Sequence, residues 1–324
     1  MRNIAMEAAI WYMFTSIEYF EAAANECEDT MNWFGGLAVA RSVPDFGRNN
    51  QIYDKFKSLA KKFKQGAEFA ILGDYRNIRS VAGSVRGDIR GMIEQPLHSW
   101  MTEAEYHEFE FVRLGILGTY SRNIELALHN AIYGADIFFD PTPDNPERVD
   151  DDDGMPGEDI MRWYKDYTRL SNRASSCKLP DPLPEYIVDK SVTCKTGDEV
   201  PWTGVWYPAT GLERYSLTFA IKGMRMQPVY HVIKTTEELR TPERMFPRPQ
   251  TVAVATVWHP VIATSRKVES TQELWAKAGD VCPKTGLWQP TDPGAQTRNY
   301  NAGDKMLSLG SAQGLTVWRW LADR

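Results

Sequence analysis

Two twelve-residue segments of this chain are nearly the same, and this duplication constrains the fold more than any other feature. GDEVPWTGVWYP begins at Gly197, and GDVCPKTGLWQP begins at Gly279, 82 positions later. The segments align without gaps and share seven identities, at positions 197, 198, 201, 203, 204, 206 and 208 of the first copy. Because these residue types are individually uncommon, the match indicates a copied structural unit.

Two shorter landmarks follow each copy in the same order. KGMRM at 222–226 is echoed by AGDKM at 302–306, which places a Gly-x-x-Met in each. Thr-Val-Trp occurs at 256–258 and again at 316–318. The whole unit was therefore copied, and the likeness is not confined to the twelve residues.

The residue types of the repeat favour a small β unit. Gly-Asp and Thr-Gly suit turns in which φ is positive, and proline fixes the entry to a tight bend. The Trp after each Thr-Gly can begin a strand and fill the centre of a small core. We therefore expect two related β modules, at about 197–260 and 279–320. Two such modules side by side could share one larger core, because a unit of about 60 residues is marginal by itself.

The N-terminal part of the chain has helical periodicity. Apolar residues three or four positions apart line one face of each predicted helix, as at Ile52, Phe56, Leu59, Phe63 and Ala67. Thr102–Glu105 reads as a capping box, which begins a further helix. A proline-rich segment at 175–186 separates a helical domain at 1–174 from a β-rich domain at 187–324. The sequence predicts an α+β fold: an N-terminal antiparallel helical bundle followed by two tandem related small β modules.

Charge and cysteine usage argue against several functional classes. The net charge of −6 and the pI near 5.5 disfavour a nucleic-acid-binding protein, which would carry a basic surface. The four cysteines are scattered without a Cys-x-x-Cys pair, so no structural metal is expected. Glu7 and Glu18 interrupt the apolar N-terminal stretch, which disfavours a signal peptide or a membrane span. We therefore expect a cytoplasmic protein without cofactor, metal, nucleic acid or membrane partner.

No catalytic motif is present. The chain lacks Gly-x-Ser-x-Gly, His-Glu-x-x-His, a P-loop and a dinucleotide-binding glycine motif. Its five histidines are far apart in sequence, so an enzyme would need a site assembled in space. Two of His98, His107 and His129 meeting a carboxylate in a cleft would favour that hypothesis.

An acidic loop at 140–159 is the first candidate for contact with a partner. DDDDG at 150–154 is not an EF-hand, because Val149 and Ile160 would fall where oxygen ligands are needed. The loop is either a solvated acidic segment or one that enters a basic cleft of another protein. WYKDY, which begins at Trp163, combines aromatic and charged residues as protein interfaces do.

The repeat tryptophans are read as buried structural residues, with exposed platforms for a glycan or peptide as the alternative. Trp202 stands apart because Lys284 occupies its place in the second copy, which makes it a candidate surface contact. The predicted partner-binding residues are Asp150, Asp151, Asp152, Asp153, Glu158, Asp159, Trp163, Tyr167 and Trp202.

The repeat also carries a family resemblance. Pro-x-Thr-Gly-x-Trp, the trailing Gly-x-x-Met and the N-terminal helical region together resemble the immunity protein 71 and 72 families of bacterial polymorphic toxin and type VI secretion systems. The likeness is strongest over 197–306, where GDVCPKTGLWQP and NAGDKM look much like the families' C-terminal signature. The sequence departs at GDKMLS, which lacks the proline expected after the methionine.

The resemblance implies a protein that performs no chemistry. Such an immunity protein binds one cognate toxin domain, blocks its active site or its access to substrate, and so protects the producing cell. A carbohydrate- or peptide-binding module that uses exposed tryptophans is the alternative from a different class.

Overall fold

The computed structural model describes residues 3–43, 51–139, 160–170, 177–210, 217–234, 236–241, 250–264, 274–291, 295–310 and 316–322. The fold class is as predicted, with helices in the N-terminal half followed by small antiparallel sheets. Asp150 to Asp153, Glu158 and Asp159 lie outside the described residues.

The described helices have the following bounds: α1 Ile4–Phe14, α2 Ile17–Ala40, α3 Gln51–Ile71, α4 Arg76–Ile93, α5 Glu103–His107, α6 Leu114–Phe139, α7 Ile160–Leu170 and α8 Thr236–Leu239. Leu97–Ser99 form a 3-10 turn, and Glu108–Arg113 form a π-helical turn. None of these helices is both long enough and apolar enough to cross a membrane.

The strands have the following bounds: β1 Tyr186–Val188, β2 Cys194–Lys195, β3 Gly204–Pro208, β4 Thr218–Ala220, β5 Val229–Lys234, β6 Gln250–Val254, β7 Val257–Ala263, β8 Trp275–Lys277, β9 Gly286–Pro290, β10 Arg298–Tyr300 and β11 Val317–Ala322. The first module, at 186–264, contains a sheet of order β1-β7-β3-β4, with β2 also paired to β7. The second module, at 274–322, contains a sheet of order β10-β9-β11-β8.

The chain forms two compact units. One contains Met1–Ser16 and Arg122–Ser265, and the other contains Ile17–Ser121 and Arg266–Arg324. Each unit combines helical segments with one β module. Both units are discontinuous in sequence, because packing groups each module with helices that precede it in the chain. The domain boundaries expected at 1–174 and 187–324 stay a prediction.

The predicted capping box is confirmed. The Thr102 hydroxyl accepts a hydrogen bond from the Glu105 N–H at 3.3 Å, and the Glu105 carboxylate accepts one from the Thr102 N–H at 2.7 Å. The Arg41 guanidinium also donates to Glu105. These bonds, with that from Arg41 first, lower the pKa of Glu105 to about 2.

The glycine turn of the repeat has one geometry in both copies. Gly197 and Gly279 have φ of 89° and 92°, a conformation that glycine adopts without steric strain. Their N–H groups donate to the carbonyls of Met226 and Met306, both at 2.8 Å. The turn thus brings the Gly-x-x-Met segment across the start of each module.

The repeated threonines make a second matching contact. The Thr203 hydroxyl accepts from the Lys222 N–H at 3.0 Å, and the Thr285 hydroxyl accepts from the Ala302 N–H at 2.8 Å. Each bond joins the Pro-x-Thr-Gly loop to the Gly-x-x-Met segment of its own module.

Each module has its own core, built from equivalent positions. The first core contains Cys194, Val200, Trp206, Ala220, Met226, Val229 and Trp258. The second contains Ala276, Cys282, Trp288, Tyr300, Met306 and Trp318. Both cores centre on a pair of buried tryptophans.

A hairpin distinguishes the first module from the second. Thr256 follows Met226 by 30 residues, whereas Thr316 follows Met306 by 10 residues. The additional 20 residues include β5 and β6, which pair only with each other among the described strands.

Tyr12 joins α1 to the first module. Its hydroxyl donates to the Val261 carbonyl at 2.7 Å and accepts from the Val205 N–H at 3.4 Å. Val205 and Val261 are opposite each other in β3 and β7. The Tyr12 ring also stacks on Tyr186 of β1, with centroids 5.8 Å apart.

We predict that Tyr12→Phe lowers the free energy of unfolding by about 1–3 kcal/mol, because the Val261 carbonyl loses its bond to the hydroxyl. Tyr207→Phe is the matched control in the same module. It removes a hydroxyl for which the described structure shows no hydrogen bond, and we expect a change within about 0.5 kcal/mol. Chemical denaturation measures both variants, and equal losses would contradict the docking role of Tyr12.

Candidate functional site

Two of the predicted partner-binding residues are buried. Trp163 and Tyr167 of α7 are 3% and 2% exposed. Their rings pack edge-on against Trp11 and Phe14 of α1, with centroids 6.4 Å and 6.2 Å apart. The Tyr167 hydroxyl donates to the Cys177 carbonyl at 2.7 Å. This packing corrects the expectation of an exposed aromatic surface, because both rings hold α7 on α1.

The three histidines considered for an assembled active site each contact an aromatic ring. His98 lies 3.8 Å from Tyr106, His107 lies 5.1 Å from Phe111, and His129 lies 5.6 Å from Tyr133, between ring centroids. None of these ring contacts joins two of the histidines. Across the described ranges, no group of three or more His, Cys, Asp or Glu is placed to hold a metal ion.

Burial makes two of the cysteine thiols poor nucleophiles. Removal from water raises the pKa of Cys27 well above its usual value. Burial, with the Asp198 carboxylate as the second cause, raises the pKa of Cys194 to about 11. A thiol that stays protonated near neutral pH is a weak nucleophile, so these residues fit structural roles.

The repeat tryptophans do not form a surface platform. Trp206, Trp258, Trp288 and Trp318 are each 0–1% exposed. The interpretation as structural residues is confirmed for these four side chains. A binding role for an indole of the first module therefore falls to Trp202, which is only partly buried.

Trp202 lies over the start of β3. Its ring is 5.3 Å from the Trp206 ring, with planes 32° apart. A Cβ atom on Gly204 would lie 1.7 Å from Cζ3 of Trp202. The indole therefore occupies space that only a glycine at position 204 leaves open.

The second module uses the corresponding position differently. Lys284 extends over the Trp320 ring, with its ammonium 3.6 Å from the ring centroid. Trp320 is opposite Trp288 in the sheet, as Pro260 is opposite Trp206. The aromatic residue is thus on the loop in the first module and on the last strand in the second.

The indole N–H of Trp206 has no hydrogen-bond partner among the described residues, although the side chain is 0% exposed. Its counterpart Trp288 donates to the Lys284 carbonyl at 3.0 Å. An unpaired buried donor costs about 1–3 kcal/mol. The contact with the tilted Trp202 ring offsets part of that penalty, since an aromatic pair contributes about 0.5–1.5 kcal/mol beyond its buried area.

The second unit contains an open polar pocket of about 240 Å³. Its lining residues are Glu21, Asn25, Lys64, Ala67, Glu68, Ile71 and Thr291. Partial removal from water, followed by the nearby Glu18 carboxylate, raises the pKa of Glu21, while the Lys64 ammonium opposes that shift. Lys64 also forms an ion pair with Glu28. The pocket carries charges of both signs and no nucleophile paired with a base.

No family model, curated protein or solved structure matches the chain. The resemblance to the immunity protein families therefore depends on the quoted residues of the repeat. The candidate site that the described structure supports is the Trp202 site, defined as residues 201–206 with the rings of Trp202 and Trp206.

Replacing the core tryptophans by phenylalanine tests whether the Trp206 donor is unpaired. Trp288→Phe removes a hydrogen bond that Trp206→Phe does not, so we expect Trp288→Phe to lose about 0.5–1.5 kcal/mol more unfolding free energy. Trp258→Phe and Trp318→Phe form the control pair. Both indoles donate to a carbonyl at 2.9 Å, so equal losses are expected. Chemical denaturation measures all four variants, and a Trp206→Phe loss as large as that of Trp288→Phe would refute the assignment.

We predict that Gly204→Ala displaces the Trp202 ring or strains the backbone, and that it lowers the free energy of unfolding by about 1–3 kcal/mol. The double variant Gly204→Ala with Trp202→Ala should recover much of this loss, because the clashing ring is gone. Gly91→Ala in α4 is the control, since nothing lies within 4 Å of its added Cβ. We expect that helical substitution to be neutral or stabilising. Strictly additive effects at 202 and 204 in thermal or chemical denaturation would refute the contact.

Proposed function

We propose that the chain is a cytoplasmic immunity protein, which binds a cognate bacterial toxin domain and blocks its active site or its access to substrate. The observation that carries this proposal concerns the residues of the family resemblance. The glycine turn, the threonine contact and the Trp after Thr-Gly have matching structural roles in both copies. These residues therefore form a structural signature of the repeat, and the proposal depends on the resemblance of that signature to the one of the immunity protein families.

The chemistry of the described residues supports binding over catalysis. The buried thiols of Cys27 and Cys194 are held in the protonated form. Trp202 is the largest partly exposed side chain of the candidate site, and tryptophan is enriched among the residues that dominate binding at protein interfaces. The proposal requires no cofactor, metal, nucleic acid or membrane.

The acidic residues Asp150 to Asp153, Glu158 and Asp159 remain the proposed electrostatic part of the interface. A negatively charged segment increases the association rate with a basic cleft and selects against acidic partners. A toxin domain that acts on a negatively charged substrate would offer such a cleft.

Burial of the four repeat tryptophans weighs against the alternative of a carbohydrate- or peptide-binding module. Two further tryptophans have partners of their own: Trp320 is covered by Lys284, and Trp202 packs at a tilt against Trp206. The four repeat tryptophans themselves leave no exposed face for a flat sugar ring.

Co-expression with the toxin encoded beside its gene tests the proposal. Wild-type protein should protect the host, and the purified pair should form a stable complex. Reversing Asp151, Asp152 and Asp153 to Lys should weaken the measured Kd on the order of 10-fold, mainly through the association rate, and reduce survival. The control reverses Asp29, Glu94 and Glu103, which are exposed acids of α2, the α4 terminus and α5.

The control variant with three reversed charges changes the net charge by the same amount as the Asp151–Asp153 variant. A general charge effect would therefore weaken toxin binding equally in both variants. Failure of the wild-type protein to protect the host or to bind the toxin would overturn the proposed function. Protection that is indifferent to the Asp151–Asp153 reversal would place the interface outside the acidic segment.

A further inference from the structure

We infer that residues 201 and 202 have a second conformation, in which the Trp202 side chain leaves Gly204 and Trp206 and inserts into an apolar pocket of a protein partner. The identity of that partner rests on the proposed function, but the second conformation does not.

The Trp206 indole shows that the present conformation leaves a hydrogen bond unmade. The other three core indoles donate to backbone carbonyls of Gln227, Lys284 and Leu307, at 2.9–3.0 Å. Trp206 alone among these four has no acceptor in the described structure. Buried donors are rarely left unpaired, so this exception needs a physical explanation.

The second module contains the conformation that satisfies this donor. There the residue at the position of Trp202 is Lys284, whose backbone carbonyl accepts from the core indole. The corresponding change in the first module moves the Trp202 carbonyl to the Trp206 N–H and carries the Trp202 ring away. One hydrogen bond is gained while the contact between the two tilted rings is lost, so the two conformations are near each other in free energy.

The segments that flank the loop are the same in both copies, which confines the change. The Val200 N–H donates to the Met224 carbonyl at 2.8 Å, and the Cys282 N–H donates to the Asp304 carbonyl at 2.7 Å. After the loop, the Thr203 hydroxyl accepts a hydrogen bond from the Lys222 N–H, and the Thr285 hydroxyl accepts one from the Ala302 N–H. The loop can therefore rearrange without disturbing the module core.

Gly204 supplies the required backbone freedom. Its counterpart Gly286 has φ of 152°, whereas Gly204 is not among the described glycines with positive φ. A glycine at 204 is needed in both conformations: in one it leaves space for the Trp202 ring, and in the other it adopts a φ that residues with a Cβ avoid.

In the second module Lys284 lies over the Trp320 ring. The first module has no tryptophan at that strand position on which a released Trp202 ring could lie. The strand position that holds Trp320 in the second module holds the buried Pro260 in the first. The indole would be exposed to water, which is unfavourable until another surface covers it. An apolar pocket on a protein partner provides that cover, and a partner that binds only the released form shifts the population toward it.

Indole N–H resonances of the ¹⁵N-labelled full-length chain test the second conformation without any partner. Trp206→Phe and Trp202→Phe assign the two signals. Trp202→Lys places the second copy's residue in the loop and should move the Trp206 signal downfield, as a new hydrogen bond requires. The Trp288 signal is the internal control and should not move. Trp202→Ala should shift the Trp206 signal in the same direction if the lysine variant folds poorly.

Saturation-transfer exchange measurements on the wild-type chain should then reveal a minor state of Trp206, at roughly 0.1–10% population and at the shift of the Trp202→Lys protein. Absence of that minor state, or a Trp206 signal unmoved in both Trp202 variants, would overturn the inference.

Addition of the toxin domain tests the partner. The Trp206 signal should move fully to the shift of the minor state, and Trp202→Lys should weaken the Kd by about 30-fold, as loss of a dominant interface residue does. A toxin that binds the wild type while the Trp206 signal stays unmoved would overturn the partner role of Trp202. A chain that shows the minor state but neutralises no toxin would refute the proposed function and leave the second conformation established.

Discussion

Both β modules depend on a buried tryptophan whose indole N–H is held by a backbone carbonyl. In each copy the Trp of Thr-Val-Trp donates to the residue directly after the Met of Gly-x-x-Met. The glycine turn at 197 or 279 binds the preceding Met carbonyl of the same segment, so the side-chain bond and the backbone turn both hold that segment. The sequence motifs that occur together in both copies are thus joined by contacts within each module.

The two copies share these contacts but differ in the residues around one loop. Trp202 and Pro260 in the first module replace Lys284 and Trp320 in the second. In the second module the lysine lies over the strand tryptophan, and the core indole keeps its carbonyl acceptor. In the first module a loop tryptophan packs at a tilt against the core indole, which has no acceptor among the described residues. Two copies with one backbone pattern thus differ by one hydrogen bond at one loop, where binding is proposed.

Local patterns predicted much of the fold. The capping box at Thr102, the alignment of the repeat and the burial of its tryptophans all follow from turn chemistry and short-range geometry, which act within a few residues. The α7 aromatics were harder to interpret. Trp163 and Tyr167 have a spacing that fits a helix face packed on a partner protein as well as one packed on α1. The sequence does not distinguish these surroundings, because both require the same apolar stripe.

By itself, the sequence determined that the C-terminal half contains two copies of one β unit and that a helical region precedes them. Those features depend on periodicity and on glycine and proline turns, which are local. Only the tertiary structure decided that each module has its own core and belongs to a compact unit with helices from earlier in the chain. It also decided that Trp202 covers Gly204 while the Trp206 N–H is left without an acceptor. Such contacts depend on which surfaces meet across many residues, and no short window of sequence contains that information.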